Sequence, residues 1–347
     1  MWNDRITKMF NIDIPLILAP MAGAADSAMA IGVAKAGGLG SIACAMLSES
    51  GIKKEVDAFR RACPGKPLNL NFFCHQQMQM NASQEERWLT ALEGYYREFN
   101  IDPNQSGSFV DRKPFDESTC KLLESLRPEV VSFHCGLPEE SFIHRLKNTG
   151  CKIISSATMI EEAVWLEKHG CDAIIAQGIE AGGHRGMFLT EDLSSQLGTF
   201  ILLARLLEEV QVPIIVAGGI ANKKDIEKIL QVGASAVQIG TAYLLTKESK
   251  ISPLHRAALL SDARNNTVIT NVFTGKPARS IRNRLINELG PMSSLTPPFP
   301  YAGKALAPLK AVTEKMGSCD FMSLWCGEKI EGATEILSAE KLTLDLF

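Results

Sequence analysis

The sequence predicts an α/β protein folded as a (β/α)8 TIM barrel, with an insertion after the third strand and a C-terminal cap region. Short apolar runs recur eight times, and most are followed by a glycine or polar turn and a helical stretch. Strands that alternate with helices form parallel βαβ units, and strands buried on both faces are continuous apolar runs. A doubly wound open sheet is the alternative, but eight regularly ordered units favour the closed barrel.

The apolar runs are interpreted in chain order as the barrel strands. They are Leu16 to Met21, Leu39 to Cys44, Leu68 to Phe73, Val130 to Cys135, Lys152 to Ser156, Ala173 to Gln177, Pro213 to Ala217 and Ala236 to Thr241. Capping residues and glycine stops indicate helices between several of these runs. We expect helices over Ala28 to Lys35 with Ser27 as cap, over Glu161 to His169, and over Lys223 to Val232 with Asn222 as cap.

Two regions interrupt this pattern. Residues 75 to about 120 contain an aromatic helix and the polar stretch DPNQSGSFVDRKP, and we interpret them as an insertion at the top of the barrel. After residue 247 come predicted helices over Ser252 to Asp262 and Ile281 to Leu289, and a proline-rich segment, LTPPFPYAGK. We therefore expect a barrel over residues 1–247 and a C-terminal helical cap over 248–347 that closes the active site.

The composition favours an enzyme of the cell interior. Hydrophobic residues make up 46% and charged residues 22%, as in an ordinary globular domain, and a net charge of -3 indicates neither a nucleic-acid nor a membrane partner. The charged N-terminus lacks the apolar core of a secretory signal. Nine cysteines without a CxxC pair indicate reduced thiols, no metal site and a cytoplasmic location.

The loops after the seventh and eighth runs predict a phosphate site. Gly218 and Gly219 follow one strand and precede a helix, and Gly240 and Thr241 end the next strand. In barrels a phosphate commonly binds between these two loops. Glycines let backbone N–H groups approach the phosphate, and the threonine hydroxyl adds a donor.

The loop after the sixth run predicts the catalytic residue. The run ends at Gln177, and Gly182, Gly183 and Gly186 then bracket His184. Barrel active sites lie on the loops that follow the strands. An imidazole placed there changes its charge near neutral pH and can act as a base or as an electrostatic partner.

Three other strand ends carry candidate ligands. Asn69 and Asn71 alternate with apolar residues, so both point to one face, where a buried amide needs a hydrogen-bond partner such as the pyrimidine edge of a flavin. His134 ends the fourth run. Pro20 and Met21 end the first run, where the thioether can make a soft apolar contact with a flat ring.

Together these motifs resemble the nitronate monooxygenase family, formerly called the 2-nitropropane dioxygenases. The resemblance runs from about Ile6 through Leu289 and includes the segment NVFTGKPARSIRNRL. The motifs that carry it are APMAG, KAGGLG, LNLNFF, SFHCG, EAGGHRG, VAGGI and QIGTA.

The resemblance implies a non-covalent FMN cofactor and assigns residues to it. It matches His184 to the family's active-site histidine and His134 to a second histidine near the substrate. Tyr301 and Lys304, in PYAGK, match residues that close the site. The implied FMN contacts are Met21, Asn71, Gln177, Gly182, Gly219, Gln238, Ile239, Gly240 and Thr241.

The implied reaction is the oxidation of a small alkyl nitronate, such as propionate 3-nitronate, by O2 to a carbonyl compound and nitrite. His184 would bind the nitronate and take the α-proton of a neutral nitroalkane, and Lys304 would pair with a substrate carboxylate. Two alternatives stay open: an NADH-dependent flavin enoyl-acyl carrier protein reductase, which shares the fold and the AGGH loop, and a non-catalytic flavin-binding barrel. We expect a monomer or a homodimer.

Overall fold

The computed structural model describes residues 2–102, 112–330 and 335–347, and these form a closed parallel barrel surrounded by helices. Each predicted run contains a strand, so the predicted (β/α)8 fold is confirmed. The barrel strands are β1 Leu16–Leu18, β2 Gly40–Ala43, β3 Leu68–Phe73, β4 Val130–His134, β5 Lys152–Ala157, β6 Ala173–Gln177, β8 Ile214–Ala217 and β9 Ala236–Ile239. A short strand outside the barrel, β7 Gly183–His184, follows β6.

Backbone hydrogen bonds close the sheet between its first two strands. The strand order is β1-β9-β8-β6-β5-β4-β3-β2, with every neighbouring pair parallel. Leu39 donates from N to Leu16 O at 2.8 Å and accepts at O from Leu18 N at 2.9 Å, just before β2 begins. β1 and β9 end before the predicted Met21 and Thr241, which leaves both residues in loops at the carboxyl end of the barrel.

The helices confirm the predicted alternation with small shifts in their bounds. Asp26, rather than the expected Ser27, caps α2, because its carboxylate accepts from Ala28 N at 2.9 Å. Asn222 caps α9 as predicted. The helices of the barrel and insertion are α1 Arg5–Phe10, α2 Ser27–Lys35, α3 Glu49–Ala62, α4 Ala82–Glu98, α5 Glu117–Leu126, α6 Glu140–Asn148, α7 Ile160–Lys168, α8 Thr199–Glu209 and α9 Lys223–Val232.

The barrel interior is apolar near the amino ends of the strands and polar above. Ile17, Ile154 and Ile215 are fully buried in one cluster, which also contains Ile6 of α1 at the bottom of the barrel. Higher in the barrel, neighbouring strands pair polar residues in register, as in Asn71 opposite Ser132. Apolar packing therefore closes the lower end, and hydrogen-bonding groups lie at the end where barrel sites form.

The inserted helix α4 packs on the C-terminal part of the chain. Trp88 Nε1 donates to Ala302 O at 3.1 Å, and Tyr96 OH donates to Ala305 O at 2.7 Å. Both acceptors belong to α12 Ala302–Lys315. Most of the polar stretch predicted to follow this helix, residues 103–111, lies outside the described residues. The division into a barrel domain and a cap domain stays a prediction.

The C-terminal part contributes a second, antiparallel sheet in the order β10-β11-β7, with β10 Thr267–Thr270 and β11 Ala278–Ile281. The predicted helix from Ile281 was therefore wrong at its start: Asn283 caps α11 Arg284–Leu289. The helix predicted over Ser252 to Asp262 is present as α10 Pro253–Leu260. The final helix, α13 Ala339–Leu346, returns to the barrel and packs so closely on α2 that a Cβ at Gly32 would lie 2.9 Å from Ala339 Cβ.

No helix within the described ranges is both long enough and apolar enough to cross a membrane. Within the same ranges, no group of three or more His, Cys, Asp or Glu side chains is arranged to hold a metal ion. The nine cysteines are free, and burial raises the pKa of the Cys135 thiol to about 11 and that of the Cys151 thiol to about 12.

Candidate active site

A cavity of about 590 Å³ lies at the carboxyl ends of the barrel strands. That volume lies in the usual range for small-molecule and cofactor sites. Eleven of the thirteen predicted site residues line it. They are Met21, Asn71, His134, Gln177, Gly182, His184, Gly219, Gln238, Ile239, Gly240 and Thr241.

The two remaining residues are not at the cavity. Tyr301 OH donates to Met78 O at 2.9 Å, in the insertion. The exposed Lys304 ammonium lies 3.6 Å from Glu85 Oε1 on α4. Both side chains contact the insertion, and the substrate contacts expected of them stay a prediction. Asn69 also lies away from the cavity: it is fully buried, and its amide donates to Ser41 Oγ at 2.9 Å.

His184 lies on a short strand, although the sequence surrounds it with glycines. Its strand β7 pairs with β11, with His184 opposite Ala278. Its Nε2 lies 3.0 Å from Thr274 Oγ1, and no described residue hydrogen-bonds its Nδ1. Burial, followed by the positive charge of Arg112, lowers the pKa of His184 well below its usual range. The imidazole is therefore neutral at pH 7.

His134 positions the backbone of His184. His134 Nε2 lies 3.1 Å from His184 O, and since a carbonyl only accepts, Nε2 carries the proton. The other nitrogen, Nδ1, lies 3.0 Å from Ser156 Oγ and accepts from that hydroxyl. Burial lowers the pKa of His134 to about 4, so the ring is neutral. Protein groups thus satisfy both nitrogens, and the substrate contact expected of His134 stays a prediction.

Gln177 holds the same loop through its side-chain amide. Its Nε2 donates to His184 O at 2.9 Å, and its Oε1 accepts from Gly186 N at 2.8 Å. Gly186 cannot be replaced without displacement, because a Cβ there would lie 2.8 Å from Ser156 Cβ. Gln177 lines the cavity, but its bonds fix the histidine loop, a role that the sequence did not predict.

Arg185 is a buried positioning residue that sequence reasoning missed. Its fully buried guanidinium donates through Nη1 to Gly178 O at 2.7 Å, through Nη2 to Gln177 O at 2.8 Å and through Nε to Gln196 Oε1 at 2.9 Å. Burial lowers its pKa to about 9. A long cation inside the glycine loop AGGHRG was the available signal, because such a charge is buried only where acceptors surround it.

The turns after β8 and β9 form a glycine-lined end of the cavity. Gly218 and Gly219 have φ of 114° and 69°, which favour glycine. A Cβ at Gly240 would lie 3.3 Å from Ala19 Cβ and 3.5 Å from Met21 Sδ. Thr241 Oγ1 accepts from Gly327 N at 3.0 Å, which leaves its hydroxyl hydrogen to donate.

Amide groups in the cavity wall fit a polar ligand such as FMN. Gln238 Oε1 is buried, and no described residue donates to it. Asn71 Nδ2 donates to Ser132 O and Oγ at 3.2 and 3.0 Å, while no described group donates to its Oδ1. Buried acceptors need donors, and the ring N–H and ribityl hydroxyls of FMN are donors. With the glycine-lined turns, these groups meet the requirements of that cofactor.

The C-terminal part and the end of the insertion supply cavity residues that sequence reasoning missed. Trp325, Gly327 and Arg112 all line the cavity. Trp325 packs 5.3 Å from the His184 ring, measured between centroids. A Cβ at Gly182 would lie 2.6 Å from Gly327 N, so this predicted cofactor glycine is also required for packing. No periodic signal identified these residues.

A closed parallel barrel whose strand ends surround a polar cavity with a buried, neutral histidine is a TIM-barrel enzyme. A family model described as nitronate monooxygenase matches residues 3–347, and the chain belongs to that family. It is therefore an oxidoreductase.

Individual relatives agree with this assignment. The nitronate monooxygenase of Paraburkholderia phytofirmans is 37% identical over 96% of this chain and 92% of its own length. That of Pseudomonas aeruginosa is 36% identical over 98% of this chain and 97% of its own length. The solved structure of a nitroalkane oxidase from Streptomyces ansochromogenes has a TM-score of 0.86 and 33% identity, and covers 99% of this chain and 96% of that one.

Proposed function

We propose that this protein binds FMN in the barrel cavity and oxidises small alkyl nitronates with O2, giving a carbonyl compound and nitrite. The observation that carries the proposal is His184: a neutral imidazole with an unpartnered Nδ1, in a cavity whose other end is lined by glycines. The relatives named nitronate monooxygenase and nitroalkane oxidase support the same chemistry.

Residues at two ends of the cavity would hold the cofactor. The turns at Gly219 and Gly240 would bind the phosphate through backbone N–H groups, with the Thr241 hydroxyl as a further donor. Gln238 Oε1, which is buried without a donor among the described residues, and Asn71 Oδ1 in the cavity wall would accept hydrogen bonds from the polar groups of the cofactor. Bound FMN supplies the redox chemistry that no protein side chain here provides.

His184 would move the proton. When a neutral nitroalkane enters, the free Nδ1 takes the α-proton, which requires the unprotonated ring that burial and Arg112 maintain at pH 7. When a preformed nitronate enters, no proton has to be removed, and the imidazole has only to orient the anion. His134 and Gln177 keep the ring in place by binding the His184 carbonyl.

The remaining proposals concern the substrate of the enzyme and its location in the cell. The partners are the nitronate and O2, and propionate 3-nitronate is a candidate substrate. Nine free cysteines, of which seven are buried, agree with a cytoplasmic location.

Heat denaturation of the purified protein tests the cofactor. We expect it to release one equivalent of a yellow compound with the mass of FMN. As a matched comparison, Gly240→Val places a branched side chain between Ala19 and Met21 and should lower the amount of bound FMN. A colourless protein that added FMN does not restore would contradict the proposal.

A further inference from the structure

We propose that Arg112 binds a planar, two-oxygen anion of the substrate on the side of the cavity that holds His184. The anion is either the nitronate group or a carboxylate elsewhere on the same molecule. The inference rests on the proposed function and deepens it, because it adds a residue that determines which substrates bind.

Arg112 and His184 both contact the ring of Phe299. Arg112 lines the cavity, and its guanidinium carbon lies 5.7 Å from the centroid of the Phe299 ring. The same ring lies 5.6 Å from the His184 ring, and Phe73 lies 5.9 Å from His184, again between centroids. An anion bound by Arg112 would therefore lie close to the proposed base.

The guanidinium of Arg112 has no hydrogen bond or ion pair to any of the described residues, whereas two other cations of the region are paired. Arg279 pairs with Glu328 at 2.7 Å, and among the cavity residues Lys250 pairs with Asp26 at 3.4 Å. Burial lowers the pKa of Arg112, and no carboxylate among the described residues opposes that effect. A desolvated cation without a partner is unfavourable, so the position is suited to an anionic ligand.

The charges around His184 favour an anion as well. Arg112, and to a smaller extent Lys276, lower the pKa of His184 through their positive charge. Lys276 donates to Met187 O at 3.0 Å and forms no ion pair with a described carboxylate. A bound anion would offset this positive field and raise the pKa of His184.

The chemistry of the guanidinium selects the shape of the anion. Its planar fork of N–H donors matches two oxygens on one atom and forms two parallel hydrogen bonds. A nitronate and a carboxylate both present such a pair of oxygens in a plane. A lysine in this position would supply the charge without the fork.

Calorimetric titration with nitrite, a stable planar anion with two oxygens, tests the site without turnover. The proteins are the wild type, Arg112→Met, Arg112→Lys and the control Arg205→Met, which removes an exposed charge from α8. We expect Arg112→Met to weaken binding about 10- to 100-fold, as for loss of a charged hydrogen bond. Arg112→Lys should restore part of the affinity, and the control should bind as the wild type does.

Two nitronates identify which group Arg112 binds. If it binds the nitronate group, Arg112→Met raises KM for both propyl-1-nitronate and propionate 3-nitronate. If it binds the carboxylate, KM rises only for the second, and in both cases kcat changes less than KM. Wild-type affinity for nitrite in Arg112→Met, or an equal loss in Arg205→Met, overturns the inference. Nitrite binding that depends on Arg112 in a protein without nitronate turnover refutes the proposed function alone.

Discussion

Acidification should destabilise the protein through two buried histidines that hold the cavity walls. His134 donates to the His184 carbonyl, and His255 Nε2 donates to Trp325 O at 3.2 Å. Burial lowers the pKa of both rings to about 4, so both are neutral in the native state at pH 7. The unfolded chain exposes the same rings to water, where a histidine has a pKa of about 6.5.

The sign and size of the effect follow from proton linkage. Between the unfolded pKa of about 6.5 and the folded pKa of about 4, the unfolded chain binds more protons, so stability falls as the pH falls. Lowering the pH from about 7 to about 5 should remove about 2 kcal/mol of unfolding free energy for each histidine. The two together should contribute about 4 kcal/mol.

Urea unfolding at pH 7 and pH 5, followed by tryptophan fluorescence, measures this loss. His255→Gln keeps an N–H donor for the Trp325 carbonyl but cannot titrate, so the difference between the two pH values should shrink by about 2 kcal/mol. The control is His144→Gln, since the His144 side chain is 69% exposed. If His255→Gln loses as much stability on acidification as the wild type does, the linkage argument is wrong.

Three further predictions concern the site itself. His184→Asn should keep the flavin but lower turnover about 100- to 10,000-fold, at least as much with a neutral nitroalkane as with its nitronate; wild-type rates with both would refute the role of the imidazole. Gly182→Ala should lower the melting temperature because its Cβ would lie 2.6 Å from Gly327 N, and an unchanged melting curve would contradict the packing. Arg185→Met should leave the carbonyls of Gln177 and Gly178 without their donors and lower thermal stability; a protein as stable as the wild type would show that they find other partners.

Local signals predicted the barrel and the glycine-lined end of the cavity. The apolar runs and glycine turns that identify strands lie within a few residues of one another, and the carboxyl ends of parallel strands necessarily meet at one end of the barrel. Met21, Gly219, Gly240 and Thr241 therefore came together as predicted, without any knowledge of long-range contacts.

Contacts between distant segments were not predictable in the same way. The contacts of Tyr301 with Met78 and of Lys304 with Glu85 arise because α12 packs on the inserted helix α4, which the local pattern does not indicate. The glycines around His184 indicated a loop, but Gly183 and His184 form a short strand that pairs with β11. Gln177 lines the cavity as expected, but its side-chain amide hydrogen-bonds to the loop that carries His184. The local sequence pattern does not indicate hydrogen-bond partners across a loop.

Arg112 is a candidate site residue that the sequence did not identify. It lies near the end of the polar stretch DPNQSGSFVDRKP, which the sequence identifies only as part of an insertion, and one arginine in such a stretch is ordinary. Its position over Phe299, without a carboxylate partner among the described residues, is what makes it a candidate anion ligand. Arg112 and Phe299 are far apart in the sequence, so their contact can be seen only in the folded structure.

The electron donor distinguishes nitronate oxidation from the reductase alternative most directly. The purified protein is mixed anaerobically with NADH or NADPH while its visible absorbance is recorded, and separately with an alkyl nitronate in air while O2 and nitrite are measured. We predict that the nicotinamides bleach the flavin only slowly, and that the nitronate causes rapid O2 uptake with release of nitrite. Fast bleaching by NADH, together with no nitrite from any nitronate tried, would contradict nitronate oxidation and favour an enoyl reductase.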